Sequence, residues 1–116
     1  MTALEIVLVA APDRAFRHSL EFALESAGYR TNAYLSATGA FDSGSARDAL
    51  CAVIDDLAVE DWKVAPEQLL RFGKPVVLLV NLFRNPPPLP RVTLVMKPFL
   101  GEPLIEAVRN AIGGAA

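Results

Sequence analysis

The chain has 116 residues, the length of one domain, and 11 Lys+Arg against 13 Asp+Glu leave a net charge of −2. That balance excludes the electrostatic footprint of a nucleic-acid binder or of a protein held on an anionic membrane. Apolar residues at 53% and charged ones at 21% exclude disorder, and the single cysteine excludes an internal disulfide or a zinc cage. No apolar run approaches the ~20 residues of a membrane span. Met1-Thr2-Ala3-Leu4-Glu5 carries no cationic leader, so a cytoplasmic chain is expected.

Ile6-Val7-Leu8-Val9 is a continuous apolar run rich in β-branched residues and reads as a strand buried on both faces. Ala10-Ala11-Pro12 breaks it, and Asp13 stands where a helix N-cap accepts a backbone hydrogen bond. Phe16, Leu20, Ala23, Leu24 and Ala27 then follow at helical spacing, with Arg14, Arg17, Glu21 and Glu25 off the stripe, until Gly28. Arg30 to Leu35 reads as an alternating strand with Thr31, Ala33 and Leu35 on one face. Residues 36–49 are small and polar, and a short helix is expected over Thr38–Asp42.

Cys51-Ala52-Val53-Ile54 is a second buried strand, ending in Asp55-Asp56. Trp62 follows in an irregular stretch, where partial burial is expected. Pro66 and Gly73 bracket a helix from Glu67 to Phe72. Val76-Val77-Leu78-Leu79-Val80 is the third buried strand. Residues 81–91 hold Pro86, Pro87, Pro88 and Pro90, which forbid a regular helix. Arg91 to Met96 reads as a strand closed by Lys97-Pro98. Pro103 opens a last helix with the stripe Leu104, Ile105, Val108 and Ile112, stopped by Gly113-Gly114.

Strands alternating with helical segments predict a parallel sheet covered on both faces. Function in such sheets lies beyond the carboxyl ends of the strands, here Ala11, Pro12, Asp13, Asp55, Asp56, Asn81 and Lys97. No Gly-rich loop follows the first strand, no hydroxyl cluster suited to a flavin phosphate occupies Ala10–Asp13, and no Ser-His-Asp set is suggested. No catalytic residue is therefore assigned and no enzyme is expected. His18 is expected at the surface and Cys51 in the core. The Arg84, Pro87, Pro90 spacing reads as part of a stiff connector.

The turn Val9 to Asp13 into Phe16-Arg17-His18-Ser19-Leu20, with Glu25-Ser26-Ala27-Gly28-Tyr29, resembles the start of bacterial response-regulator receiver domains. Cys51-Ala52-Val53-Ile54-Asp55 resembles their third strand, Pro75-Val76-Val77-Leu78-Leu79 their fourth, and Met96-Lys97-Pro98-Phe99 the step after their fifth. The resemblance spans 1–116 as one receiver-like domain. It implies a flavodoxin-like α/β fold, a five-stranded parallel sheet of order 2-1-3-4-5, with the proline-rich segment in place of the family's fourth helix.

The resemblance also implies roles. Asp55 falls on the phosphoacceptor position, with Asp56 the second choice, and Lys97 on the lysine that contacts the phosphoryl group. The family's acidic pair for Mg²⁺ falls on Ala11 and Pro12, and its switch Ser/Thr on Val80. Asp13 and Asp56 are the remaining metal candidates; the competing reading makes Asp13 a helix cap and leaves Asp56 solvated. No bound cofactor is expected, and an ion pair between Asp55 and Lys97 is the natural use of both. The implied function is a degenerate two-component receiver that acts through contact with a histidine kinase or another signalling protein. It would not contact nucleic acid or membrane itself. The alternatives are a working phosphoacceptor with a rebuilt Mg²⁺ site and a flavodoxin-like small-ligand binder.

Overall fold

A computed structural model describes residues 5–81, 91–97 and 102–113. Five strands, β1 (Ile6–Ala10), β2 (Arg30–Tyr34), β3 (Cys51–Asp55), β4 (Val76–Val80) and β5 (Val92–Met96), pair in the order β2-β1-β3-β4-β5. Every pairing is parallel. The order expected from the sequence is the order found.

The solid apolar runs follow from coverage on both faces. Alternate residues of β1, β3 and β4 feed two separate cores. Val7, Val9, Cys51, Val53, Val77 and Leu79 face α1 (Arg14–Ser26) and α4 (Glu102–Ile112), which bury Leu20, Leu24, Leu104 and Val108 against them. Leu8, Ala10, Ala52, Ile54, Val76, Leu78 and Val80 face the side of α2 (Ala37–Phe41) and α3 (Ala65–Phe72). Trp62 is half-buried against this second core, and Cys51 is buried in the first. His18 is exposed on α1.

Local signals set the ends. The Asp13 carboxylate accepts the Phe16 N–H at 2.8 Å and starts α1. Ser36 caps α2 in the same way through Gly39 N–H. α3 ends at Gly73, whose φ of +71° is the left-handed conformation open to a residue without a Cβ.

Beyond shifts of one or two residues at helix ends, such as α3 starting at Ala65 and α2 at Ala37, three differences from expectation stand out. Leu35 does not continue the β2 face; the chain turns there into the Ser36 cap, and Leu35 is 64% exposed. A 3-10 turn at Gly44–Arg47 occupies part of the stretch read only as small and polar. Arg91 does not begin β5: its φ is +62°, so it is a turn residue, and only its carbonyl joins the ladder, accepting Val76 N–H at 2.9 Å. The expected irregular connection, with Arg84, Pro87 and Pro90, falls on residues 82–90, outside the described residues. Pro98, Phe99 and Gly114 also lie outside them.

No helix among the described residues is long and apolar enough to cross a membrane.

Candidate functional site

β3 sits at the centre of the sheet and delivers Asp55 to its carboxyl end, 2% exposed. A strand continued past Asp55 would aim the next side chain at the opposite face. Instead the backbone enters a 3-10 turn, Asp56–Ala58, with Asp55 as its cap. Asp55 Oδ1 accepts Leu57 N–H at 3.2 Å, and the tightened turn swings Asp56 to the same side, also 2% exposed. Asp56 is thus buried, which corrects the reading of it as a solvated residue; strand periodicity alone did not carry the turn.

Lys97 reaches this pair from β5. Its backbone N–H continues the ladder to Val80 O at 2.8 Å. Its ammonium lies 2.8 Å from Asp55 Oδ1 and 3.0 Å from Asp56 Oδ1, with its side chain 18% exposed. The Phe16 ring centroid is 5.9 Å from the ammonium, which places a π-face beside the charge.

The turn after β1 brings hydrocarbon and a second cation. Ala11 is fully buried and Pro12 exposed, and neither side chain offers oxygen. Arg17 Nη1 donates to Ala11 O at 2.9 Å and to Pro12 O at 3.4 Å. The sequence reading left Arg17 out. The signal was its place one turn into a helix that starts at a strand end, since a long helical side chain leans back over the preceding turn. Asp13 points its carboxylate into the α1 cap. Val80 closes β4, 4% exposed, with no hydroxyl. Asn81 follows it, exposed. Among the described residues no group of three or more His, Cys, Asp or Glu is placed to hold a metal ion.

The electrostatics follow from burial. Burial pushes the Asp55 carboxyl above its ordinary 3.8; the Lys97 hydrogen bond only partly opposes this, and contact with Asp56 adds to the rise. For Lys97 burial alone would lower the ammonium, but its bonds to Asp55 and Asp56 outweigh this and hold it above 10.5. The folded state therefore binds the Asp55 proton more tightly than the unfolded chain does. Its contribution to stability grows as pH falls from the raised folded-state value, and is complete below 3.8. Asp55→Asn, which mimics the protonated form, is thus expected to be more stable than the parent near pH 7, with the gap closing on acidification. Urea unfolding at a series of pH values checks this, and a gap that widens toward acid contradicts it.

A five-stranded parallel sheet of order β2-β1-β3-β4-β5, with a central-strand aspartate facing a lysine from the edge strand, has the fold of the receiver class. The comparisons agree. A response regulator receiver protein from Sinorhizobium medicae WSM419 superposes with a TM-score of 0.78 at 19% identity, covering 97% of this chain and 98% of that one. A CheY-like receiver domain from Methanospirillum hungatei JF-1 gives 0.75 at 16% identity, covering 97% and 96%. No protein-family profile matches the chain. The transcriptional regulator protein FixT of Rhizobium meliloti (strain 1021) is 35% identical over 111 residues, 94% of each chain. The chain belongs to the same family as FixT, and its fold is that of the response-regulator receiver structures.

Proposed function

We propose that this receiver works by binding another signalling protein in one fixed conformation, without Mg²⁺-dependent phosphorylation of Asp55 and without enzymatic activity of its own. The observation that carries the reading is the Lys97 ammonium, within 3.0 Å of both Asp55 and Asp56. Phosphoryl transfer to a carboxylate needs a hard cation coordinated by several oxygens, to neutralise charge on the moving group. Here the turn after β1 offers the side chains of Ala11 and Pro12, and Asp13 caps α1. The donor set does not fit Mg²⁺.

The second support is Val80. A phosphorylated Asp55 would find no hydroxyl there to draw inward, so the two states would differ little in contacts and populations would shift little by that route. Partners are then met by surface complementarity, and a histidine kinase or another protein of a two-component pathway fits the receiver class. FixT is described as a transcriptional regulator; with a net charge of −2, this chain would exert such regulation through protein contacts rather than by touching DNA. The cytoplasm, where such pathways converge, is the compartment this reading implies.

The test is intact mass after incubation with acetyl phosphate and millimolar Mg²⁺, beside Asp55→Asn and Asp56→Asn. The expected result is unmodified protein throughout. A stoichiometric phosphoryl adduct that vanishes only in Asp55→Asn would overturn the reading and make Asp13 a metal ligand.

A further inference from the structure

At the end of the sheet where the strands begin, away from Asp55, α2, α3 and the 3-10 turn Gly44–Arg47 bound an open pocket of about 400 Å³. It takes Gln68, Arg71 and Phe72 from α3. β5, to which residues 82–90 lead, lies on the other side of that helix, where Leu70 turns toward Val92.

The floor of the pocket is aromatic. Phe41 and Phe72 meet with ring centroids 5.1 Å apart and planes tilted by 46°, and both pack on the second core. Gln68 Nε2 donates to Thr38 Oγ1 at 3.0 Å and ties α3 to α2. The walls are thus set before a ligand arrives, which lowers the ordering cost of binding.

The rim is cationic. Arg47, Arg71 and Lys74 line it against a single acid, Asp42, in a chain whose net charge is −2. The Lys74 ammonium donates to Ala46 O at 2.8 Å and Arg47 O at 2.6 Å, and stands 5.5 Å from the Phe72 ring centroid. Those carbonyls fix its position without cancelling its charge. Arg71 meets Glu67 at 3.6 Å, an exposed contact of little strength that leaves most of the five guanidinium donors available. No carboxylate among the described residues pairs with Arg47.

We propose that this pocket docks an acidic segment of another protein, with one aromatic or aliphatic side chain seated on Phe41 and Phe72 and carboxylates beside it paired with Arg47 and Arg71. Charge complementarity selects the acid, because guanidinium forks take carboxylates in a bidentate, charge-assisted pair and the same rim repels a basic segment. The phenylalanine floor selects the apolar anchor, since a rim of exposed charges alone adds little affinity. A partner held here leaves the Asp55 end of the sheet open. The inference goes beyond the proposed function and does not depend on whether Asp55 accepts a phosphoryl group.

The experiment selects displayed random peptides of ~10 residues, about 33 Å when extended and so able to cross the pocket, on the intact protein at low salt. Winners are titrated by calorimetry against the parent, Arg47→Glu, Arg71→Glu and Arg14→Glu. All three arginines are exposed, so the variants are expected to fold, and circular dichroism checks this. Arg14→Glu, on α1, makes the same change in net charge away from the pocket. The expected winners carry carboxylates around one large apolar residue, weaken as salt is added and shift the amide resonances of Phe41, Gln68 and Phe72. They are expected to bind Arg47→Glu and Arg71→Glu about fivefold or more weakly and Arg14→Glu within about twofold of the parent. Failure to select peptides, selection of basic or uncharged ones, equal weakening in all three variants, or amide shifts confined to other residues overturns the proposal. So does a protein dimer seen by light scattering and abolished in Arg47→Glu, which would give the pocket to a second copy.

Discussion

Lys97→Met is expected to cost about 3–5 kcal/mol of folding stability, the range for removing one partner from a buried ion pair. Methionine keeps the length of the side chain and its contact with Phe16, so the loss is that of the charge. Two carboxylates, each 2% exposed, would lose the ammonium they share. The double variant Lys97→Met/Asp55→Asn is expected to recover part of the loss, because one carboxylate charge goes with the ammonium. Urea denaturation of the four proteins in this cycle gives the coupling directly; a single variant within 1 kcal/mol of the parent would show that the pair adds little. In the parent, the Lys97 contribution is fully present below 10.5 and is lost as pH rises through its higher folded-state value.

Leu104→Ala is expected to cost about 2–5 kcal/mol, the span seen when a buried leucine leaves a cavity. α4 has 11 residues, and only Leu104 and Val108 are buried on it. A helix of this length holds little structure by itself, so its docking rests chiefly on those two side chains, with Ile105 and Ile112 packed beside them. The loss is expected to be local as well as global. Amide exchange should quicken along α4 before it does in β1 and β3, which keep Val7, Val9 and Val53 packed under α1. Uniform loss of protection across the sheet would instead mean that α4 and the central strands open together.

The parallel, covered sheet was legible because three strands are apolar on both faces; its order followed from the resemblance to receiver domains. Asp55 and Lys97 were legible for a related reason: each ends a strand, and strand ends in this topology converge. Asp56 was not, because its direction depends on a 3-10 turn stabilised by the Asp55 carboxylate, a local hydrogen bond that leaves no periodic trace. Arg17 was hidden by the hydropathy stripe, which sorts side chains by face and says nothing of how far a long one reaches along the helix axis. Arg91 was read as a strand residue since nothing in its identity signals a left-handed backbone. Leu35 shows the limit of alternation: its hydrophobicity fitted the strand face, yet the Ser36 cap required the chain to turn first.

Cys51 lies wholly inside β3, in register with Val7 of the neighbouring strand, and burial pushes its thiol up to about 12. At neutral pH such a thiol is almost entirely un-ionised, and the thiolate is the form that reacts. A thiol reagent therefore meets it only when the central sheet parts. The chain thus carries a built-in clock of its own opening: the labelling rate reads the equilibrium between closed and open sheet without any engineered probe. Any companion that clasps the closed form will slow that clock in proportion to its occupancy.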